Sequence, residues 1–385
     1  MYKFKTEPYE HQKVALEKSW QRSFYALFME MGTGKTKVTI DTMGMLFQQG
    51  EIEAALIIAP KGVYANWHSK EIPQHMSEDV KVDSLLWEPK TTQKFQKRLI
   101  QVARGSKDSL RILIMNVEAL STKRGNQVAQ DFLKLNADSF VVVDESTTIK
   151  NRQAQRTKNI IALGKQARYK RILTGSPVTK NPMDLFSQCA FLNKGMLNYD
   201  SYYAFQGRYA VVQQRKFGAR SFQQITGYRN LEELNCKLEK HSHRVLKEDC
   251  LDLPDKIYMQ RQVALTEEQT KAYKQMQEFA LAILAEKFGE DSVVTFYGAT
   301  PQEERDRIVE QFQDKESPVR FFVANPKTGG YGLTLTAATN VLYYNNSYDL
   351  EIRLQSEDRA HRIGQDHHVL YVDLVSPRTV DEKII

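Results

Sequence analysis

A short glycine-rich segment near the N-terminus contains the residue types that bind a triphosphate. It reads Met29-Glu30-Met31-Gly32-Thr33-Gly34-Lys35-Thr36 and lies between an apolar run and a stretch with helical periodicity. Glycines at such a turn let backbone N–H groups point at a phosphate, and the following helix N-terminus adds partial positive charge. Lys35 can reach the β- and γ-phosphates, and the Thr36 hydroxyl can bind Mg²⁺. The segment predicts a P-loop, although Met29 stands where the strict pattern has its first glycine.

Two adjacent carboxylates further along the chain supply the other half of a hydrolytic site. The apolar run Val141–Val143 leads directly into Asp144 and Glu145. A buried parallel strand delivers the residues at its carboxyl end to the crevice where nucleotides bind. Asp144 can hold Mg²⁺ through water, and Glu145 can orient and deprotonate the attacking water. With the P-loop, this pair is typical of a helicase-type hydrolase rather than of a kinase or a GTPase.

Two arginines near the C-terminal end can complete such a reaction. Arg359 and Arg362 lie three residues apart in a predicted helix, Asp349–Arg362, and therefore share a face. Guanidinium groups that neutralise charge on the transferred phosphoryl group contribute on the order of 10³–10⁵ in rate. If one lobe holds the phosphates and another the arginines, hydrolysis requires closure, which can drive movement along a polymer. The alternative is a surface ion pair with Glu357 or Asp358.

Positive charge is concentrated in two windows of the chain. Lys and Arg exceed Asp and Glu by 54 − 47 = +7, and the isoelectric point is about 9.0. Residues 146–183 contain nine basic residues and no acid, and residues 201–230 contain five and no acid. Clustered charge of this kind indicates a polyanionic partner, nucleic acid first, although a solvated basic face is the simpler alternative.

The second window combines its basic residues with seven aromatic rings: Tyr202, Tyr203, Phe205, Tyr209, Phe217, Phe222 and Tyr228. Basic side chains contact phosphates, and exposed rings stack on bases. A predicted hairpin around residues 216–220 places Phe217 and Arg220 near its tip, where they can act as a wedge at a duplex junction. The competing interpretation is that most of the rings pack the segment onto the first lobe and that the tip is solvated.

The predicted elements alternate between strands and helices, which indicates parallel α/β architecture. The strand candidates are Phe24–Phe28, Ala54–Ala59, Arg111–Met115, Phe140–Val143 and Arg171–Thr174, then Val293–Tyr297, Val319–Val323, Asn340–Tyr344 and Val369–Val375. The helix candidates are Lys35–Gln49, Arg152–Leu163, Glu267–Lys287, Pro301–Phe312 and Asp349–Arg362. Two α/β lobes separated by an insertion follow from this order.

Composition excludes several other classes of protein. Hydrophobic residues make up 41% and charged residues 26%, which is ordinary globular usage. No apolar run approaches the roughly 20 residues that span a bilayer, and the polar residues at the start of the sequence lead us to expect no secretory signal. The three cysteines form no CxxC pair, and His241 and His243 lack partners at metal-ligand spacing, so neither a disulfide framework nor a zinc site is expected. We expect a cytoplasmic protein without a membrane contact.

The motifs, in their order, resemble those of superfamily-two helicases, in particular the Swi/Snf-like branch and the short helicase-like ATPases carried by phages. The matching runs are Pro8–Gln12 (Q motif), Ala59–Lys61 (motif Ia), Asp144–Thr147 (motif II), Thr174–Pro177 (motif III), Lys327–Leu335 (motif V) and Gln355–Gln365 (motif VI). The last contains the string RAHRIGQ, which is nearly diagnostic of the branch. The resemblance covers nearly the whole chain.

The resemblance implies a two-lobed ATP-dependent DNA motor. Its fold would be α/β with two RecA-like P-loop lobes: lobe one in residues 1–195, a basic and aromatic insertion with a linker in 196–256, and lobe two in 257–385. ATP and Mg²⁺ are the implied cofactors. DNA, duplex or forked, is the implied partner, together with replication or recombination proteins, and a phage-encoded chain would act in a bacterial host cell.

The resemblance also assigns roles to individual residues. Catalysis would fall to Lys35, Asp144, Glu145, Gln355, Arg359 and Arg362. Nucleotide binding would fall to Gln12, Gly32, Thr33, Gly34, Lys35 and Thr36, with Thr36 and Asp144 at the metal, and Gln12 would recognise the adenine. The DNA-contact candidates are Lys61, Lys150, Arg152, Arg215, Lys216, Phe217, Arg220 and Lys327.

Three functions are compatible with these residues. The first is a translocase on duplex DNA, the second is a strand-separating helicase that uses the 201–230 hairpin as a wedge, and the third is a non-hydrolysing DNA-binding regulatory module. The third is suggested by Thr147, which replaces the usual His of motif II, and by the motif IV region, where fewer than thirty residues lie between Ala264 and Val293. In motif V, Pro326 and Thr334 replace the usual Thr and Asn, which bears on strand contacts there. The short motif IV region, together with the ending at residues 383–385, suggests an incomplete record of a longer protein.

Overall fold

The computed structural model describes residues 2–178, 181–217, 220–262, 283–297, 300–326, 333–344 and 350–375. The chain forms two compact units, Met1–Cys250 and Leu251–Ile385. Each is an α/β arrangement built on parallel strands, as the alternation of elements predicts.

The first unit is organised around a seven-stranded sheet in which every neighbouring pair is parallel. The strand order is β3-β4-β2-β5-β6-β1-β9. The strands are β1 (Phe24–Met29), β2 (Ala54–Ala59), β3 (Val82–Leu86), β4 (Leu110–Asn116), β5 (Ser139–Asp144), β6 (Tyr169–Leu173) and β9 (Ser242–Val245). Strands β7 (Ala210–Phe217) and β8 (Arg220–Tyr228) form a separate hairpin.

Helices cover both faces of this sheet. They are α1 (Glu10–Ser19), α2 (Lys35–Gln48), α3 (Tyr64–Asn66), α4 (Ile72–His75), α5 (Gln93–Arg104), α6 (Lys123–Leu135), α7 (Gln155–Gly164), α8 (Leu185–Leu192), α9 (Tyr202–Tyr209) and α10 (Leu231–Glu239). Within the described ranges, no helix of either unit combines the length and the apolar character that crossing a bilayer requires.

The central strands show why the sheet must be covered on both sides. All six residues of β2 are buried. Ala54, Leu56 and Ile58 pack in one apolar cluster, which we call the α8-side core because it includes residues of that helix. Ala55, Ile57 and Ala59 pack in the opposite cluster, the α2-side core. Successive side chains of a strand point to opposite faces, so an uninterrupted apolar run is stable only between two helical layers.

The five strands predicted for the first lobe are all present, with bounds that differ by at most two residues. Two further strands, β3 and β9, were not predicted. They occupy the two edges of the sheet, where one side lacks a neighbouring strand. Their residues are mostly half-buried and include polar side chains, so they lack the continuous apolar signature of a central strand.

The predicted hairpin is confirmed and belongs to the first unit. Strand β7 (Ala210–Phe217) pairs antiparallel with β8 (Arg220–Tyr228), and residues 218–219 at the turn lie outside the described residues. At its base, the Glu233 carboxylate accepts hydrogen bonds from Arg208, from the Tyr209 hydroxyl at 2.9 Å and from Lys237 at 3.0 Å. Because the following β9 pairs with β1, residues up to 250 form one unit with the P-loop sheet, beyond the expected limit at residue 195.

The packing interpretation of the aromatic rings is confirmed for two of them, and the stacking interpretation stays a prediction for the exposed ones. Phe205 and Tyr209 are fully buried in the α8-side core. Tyr203, Phe222 and Tyr228 are 67%, 51% and 39% exposed, which leaves their rings available for contacts.

The described residues of the second unit form two small parallel sheets. One has the order β10-β14-β13 and the other pairs β11 with β12. The elements are β10 (Lys256–Gln262), β11 (Val293–Phe296), β12 (Phe321–Ala324), β13 (Asn340–Tyr343) and β14 (Val369–Val375), with helices α11 (Gln302–Gln313) and α12 (Leu350–Ala360). Strand β10 was not predicted, and the predicted helix Glu267–Lys287 falls mostly outside the described residues, which resume at residue 283.

Replacement of Phe205 by Ala should destabilise the first unit by about 3–5 kcal/mol, because it empties a fully buried ring site. The same change at Phe222, which is half-exposed on the hairpin, should cost no more than about 0.5 kcal/mol. All three tryptophans, Trp20, Trp67 and Trp87, lie in the first unit, so denaturant titration followed by tryptophan fluorescence reports that unit alone. Equal losses of stability in the two variants would contradict the packing described above.

Candidate nucleotide-binding site

The predicted motif residues of the first unit meet at one edge of its sheet. The P-loop follows β1, motif Ia follows β2, motif II ends β5 and motif III follows β6. Because all of these strands are parallel, their carboxyl ends lie side by side. Strand β6 lies between β1 and β5, which places the P-loop and Asp144 two strand spacings apart, roughly 10 Å. That distance suits a triphosphate with its metal.

The P-loop has the backbone conformation that phosphate binding requires. Gly32 and Gly34 have φ values of 83° and 91°, in the left-handed region that favours glycine. Between them, the buried Thr33 donates its hydroxyl to the Glu30 carbonyl at 2.8 Å, which closes the loop. Helix α2 begins at Lys35 without a side-chain cap, so its first N–H groups have no capping oxygen. This is the geometry of an anion site at a helix N-terminus.

The Gln12 side chain is hydrogen-bonded to the P-loop. Its Nε2 donates to the Thr33 carbonyl at 3.1 Å, and its Oε1 accepts from the Tyr9 N–H at 3.1 Å. A Cβ on Gly34 would lie only 2.1 Å from this Nε2, so a larger residue there would force the Gln12 side chain away from the loop. In this structure the amide of Gln12 is buried against the loop. Its expected role in adenine recognition therefore stays a prediction.

The catalytic candidates of motif II lie next to Lys35. The Lys35 ammonium is 3.5 Å from Glu145 Oε1, and both side chains are about nine-tenths buried. Glu145 is one of three non-glycine residues with positive φ in the described chain, at 47°. Such a conformation stores strain, which clusters at functional sites.

Burial and the neighbouring charge of Glu145 raise the pKa of the Asp144 carboxyl, while Lys35 and a hydrogen bond from the Trp67 indole oppose this rise. A cation bound here would stabilise the ionised form. The oxygen donors of Thr36 and Asp144 are those that Mg²⁺ prefers, and Mg²⁺ is usually held by one or two carboxylates together with substrate phosphates. The residues therefore fit a magnesium–triphosphate complex.

Motif II is also tied to motif III through Gln188, a residue that the motif pattern did not identify. The Ser146 hydroxyl donates to Gln188 Oε1 at 2.6 Å, and Gln188 Nε2 donates to the carbonyls of Pro177 and Asp184 at 2.8 and 3.0 Å. Gln188 is fully buried on α8. Motif III in turn packs on the P-loop, since a Cβ on Gly175 would lie 3.2 Å from the Glu30 Cα. The three motifs thus form one connected structure.

In the second unit, the two motif VI arginines point to the same acceptor. Nη1 of Arg359 and Nη1 of Arg362 lie 3.5 and 3.2 Å from the Leu333 carbonyl. Helix α12 ends at Ala360, so Arg362 lies in the following turn and the predicted helix end at 362 was wrong. The turn that follows Ala360 nevertheless keeps both guanidinium groups together. Gln355 is buried one turn earlier on α12.

Other motif VI residues have structural partners. Gln365 Nε2 donates to the carbonyls of Thr336, Ala338 and Ala360, each at 3.0 Å. Glu357 accepts from Arg353 at 2.7 Å and from Lys256 at 3.0 Å, which fastens α12 to the sheet. Of the two carboxylates considered as ion-pair partners of the arginines, Glu357 is thus held by Arg353 and Lys256, and Asp358 also accepts from Lys256, at 3.4 Å.

The DNA-contact candidates lie in different surroundings. Lys61 is exposed in the turn after β2, and Arg215 and Lys216 are exposed on β7. Lys150 is half-buried, and Arg152 stacks on the Tyr202 ring at 4.1 Å. Phe217 and Arg220 form the last pair of the hairpin register, without described side chains, and Lys327 lies outside the described residues.

The two histidines, His241 and His243, lie directly before strand β9 and within it. His241 packs its ring on Phe24 with centroids 4.8 Å apart, and burial lowers the pKa of both imidazoles. The described residues contain no group of three or more His, Cys, Asp or Glu that could hold a metal ion.

Comparison with known proteins places these motifs in a family. The family model described as the SNF2-related domain matches residues 13–307, and that of the helicase conserved C-terminal domain matches residues 253–364. The bovine DNA annealing helicase and endonuclease ZRANB3 is 26% identical over 416 residues, covering 91% of this chain and 37% of its own length. The putative ATP-dependent helicase/translocase YwqA of Bacillus subtilis is 38% identical over 112 residues, 29% of this chain and 12% of its own.

The fold is also that of a solved SWI2/SNF2 protein. The Sulfolobus solfataricus SWI2/SNF2 ATPase core in complex with dsDNA matches with a TM-score of 0.50 and 22% identity, covering 100% of this chain and 91% of that one. The predicted α/β fold with two RecA-like lobes is thereby confirmed. The chain spans a little over a third of the length of the ZRANB3 proteins that it matches.

Gly34→Ala should weaken nucleotide binding by about tenfold, which corresponds to 1.4 kcal/mol, because the new Cβ displaces the Gln12 side chain from its hydrogen bond to the Thr33 carbonyl. Gly50→Ala is the matched control: Gly50 also has positive φ, at 71°, follows the other end of α2, and has open space where a Cβ would lie. Both variants share the backbone strain of about 1 kcal/mol. Titration with a fluorescent ATP analogue should separate them, and equal weakening would show that the P-loop contact is not the cause.

Proposed function

The chain belongs to the SNF2-related family, and we propose that it is a DNA-stimulated ATPase that uses ATP hydrolysis to move along duplex DNA. The observation that carries this proposal is the placement of Lys35, Asp144 and Glu145 together at the carboxyl edge of one parallel sheet. ATP and Mg²⁺ are its cofactors in this proposal. The relatives, which include a DNA annealing helicase and a core in complex with dsDNA, support DNA as the partner.

Within the first unit, each residue has a distinct part in the reaction. Lys35 holds the triphosphate, and its present contact with Glu145 is exchanged for one with phosphate. Glu145 is then free to orient the attacking water and to accept its proton. Asp144 and Thr36 hold Mg²⁺, which neutralises charge on the phosphate oxygens when bound. The loop formed by Gly32, Thr33 and Gly34 supplies backbone N–H groups.

The second unit supplies the arginines in this proposal. Arg359 and Arg362 stabilise charge on the transferred phosphoryl group, and Gln355 supports them from helix α12, which also carries Arg359. Their common orientation toward the Leu333 carbonyl supports a joint role. The functional division that we propose keeps residues 1–195 as the P-loop lobe, 196–256 as insertion and linker, and 257–385 as the arginine lobe.

Basic residues outside the nucleotide site provide the proposed DNA contacts. The candidates are Lys61 in motif Ia, Lys150 and Arg152 after motif II, and the basic residues of the hairpin segment 215–220. The window 201–230, which contains the hairpin, has no acidic residue. Phosphate contacts of this kind position a protein on DNA but carry no sequence information. The resemblance to phage-encoded ATPases extends the proposal to the cytoplasm of a bacterial host, with replication or recombination proteins as partners.

A strand-separating helicase is the second candidate. It is favoured by the hairpin itself, a two-stranded ribbon with exposed Phe222 and basic residues near its tip. The third candidate, a regulatory module without hydrolysis, rests on Thr147 in motif II and on the short motif IV region.

ATP turnover should rise severalfold or more when duplex DNA is added. The salt concentration must be fixed and stated, because salt alone shifts affinities for DNA by orders of magnitude. The same assay with single-stranded DNA, forked DNA and RNA identifies the activating substrate. Stimulation by RNA only, or none at all, would overturn the proposal.

Glu145→Gln should lower DNA-stimulated turnover by about 10²-fold or more, because it removes the proposed base while keeping the shape of the side chain. Glu118→Gln, which removes an exposed charge of the same unit, should have no effect. Retained nucleotide binding in the Glu145 variant, measured with the fluorescent analogue, shows an intact site. Unchanged activity would favour the regulatory module instead.

Simultaneous Arg215→Ala and Lys216→Ala should reduce the slope of log affinity against log salt by about 2 on duplex DNA, roughly one unit for each phosphate that the variant no longer neutralises. The double variant Lys94→Ala and Lys97→Ala, which removes two exposed lysines outside both basic windows, should leave the slope unchanged.

The strand-separating helicase is tested with a labelled DNA fork. If the fork stays annealed while the wild-type protein consumes ATP, the proposal that the hairpin acts as a wedge is rejected.

A further inference from the structure

Trp67 contacts the carboxylate that the proposed function places at the metal. Its indole Nε1 donates to Asp144 Oδ2 at 2.9 Å, across 77 positions of sequence. Trp67 is fully buried and Asp144 is 3% exposed. A hydrogen bond between two buried groups, one of them ionisable, is energetically significant because water cannot replace it.

This bond completes the orientation of the carboxylate. The other oxygen, Oδ1, accepts the Glu145 backbone N–H at 3.0 Å. With one donor on each oxygen, rotation of the carboxylate about its Cβ–Cγ bond would break both hydrogen bonds. Such bonds also favour the ionised form against the cost of burial. In metal sites, partners of this kind orient the ligand, and their loss typically weakens metal binding by about 10- to 100-fold.

Trp67 lies on the segment that carries the motif Ia lysine. Strand β2 ends at Ala59, and a turn closed by the Val63 N–H and the Pro60 carbonyl at 2.9 Å contains the exposed Lys61. The chain continues without interruption through helix α3 into a π-helical turn that begins at Trp67. Turns of this type are rare in proteins, and those that occur are often found at functional sites.

We propose that Trp67 is a positioning residue that fixes Asp144 for Mg²⁺ and that links this carboxylate to DNA contact at Lys61. This inference rests on the proposed function, since it needs a metal–nucleotide complex and a DNA partner. The inference gives a role to a residue outside the motifs. It also describes a physical route from DNA to the nucleotide site: a shift of the turn at Lys61 moves the helical segment, and this segment carries the indole that holds Asp144.

The chain offers a matched control in Trp87. Trp87 is 3% exposed, in the same unit, and its indole Nε1 has no hydrogen-bond partner among the described residues. Trp67→Phe and Trp87→Phe therefore both shorten a buried aromatic side chain, but only the first removes a hydrogen bond to Asp144.

Binding of a fluorescent ATP analogue should be measured for the full chain with excess Mg²⁺ and with EDTA. For Trp67→Phe we expect the affinity gained from Mg²⁺ to fall about tenfold, and the Mg²⁺ concentration at half-saturation to rise by a similar factor, which is the usual loss when such a partner is removed. In EDTA this variant should bind as the wild-type protein does. Trp87→Phe should match the wild-type protein in both conditions.

Two results would overturn the positioning role. One is an undiminished gain from Mg²⁺ in Trp67→Phe. The other is equal weakening with Mg²⁺ and with EDTA, which would indicate general damage to the P-loop rather than loss of metal positioning. A wild-type protein that binds no nucleotide at all would instead defeat the proposed function.

The link to DNA is tested by a double-mutant cycle of Lys61→Gln and Trp67→Phe, read as the ratio of turnover with and without duplex DNA. If the two residues act through one route, the double variant should lose little more of this ratio than the more severe single variant. Multiplicative losses would reject the link while leaving the Mg²⁺ result intact. Absence of DNA stimulation in the wild-type protein would count against the proposed function, not against the Mg²⁺ measurement.

Discussion

Two carboxylates and one ammonium group buried together are the constraint on which the rest of the structure depends. Lys35, Asp144 and Glu145 are each less than a tenth exposed, and Lys35 lies 3.5 Å from Glu145. Uncompensated burial of such charges is costly, so their positions must be determined by surrounding contacts. A fully covered parallel sheet provides that rigidity, because its strands end at one edge and its helices exclude water from both faces.

The central part of this arrangement could be predicted from local sequence. Strand β2 and strand β14 have the predicted bounds, Ala54–Ala59 and Val369–Val375, because uninterrupted or alternating apolar residues determine burial directly. The P-loop and the motif II pair were recognisable because their chemistry requires particular residues at fixed spacing. The edge strands β3, β9 and β10 were missed because an edge strand buries fewer side chains and so tolerates polar residues.

Contacts that join distant parts of the chain could not be predicted in this way. Trp67 and Gln188 look like ordinary core residues in the sequence, and only the fold brings each to motif II. The position of Arg362 shows a different limit: the helix ends before it, yet its guanidinium shares an acceptor with that of Arg359. The spacing predicted the juxtaposition correctly although the helical geometry behind it was wrong.

Trp67 and Gln188 reach motif II from opposite sides of the sheet, which explains how a strained residue can persist there. Trp67 belongs to the α2-side core, whereas Gln188 lies on α8 between Leu185 and Cys189 of the α8-side core. One fixes Asp144 and the other fixes Ser146, the residues on either side of Glu145. A left-handed conformation at a glutamate costs free energy, and it is maintained only where the surrounding contacts leave no alternative. Because each contact comes from a different helical layer, a shift of either layer relative to the sheet would alter the direction in which the Glu145 carboxylate points.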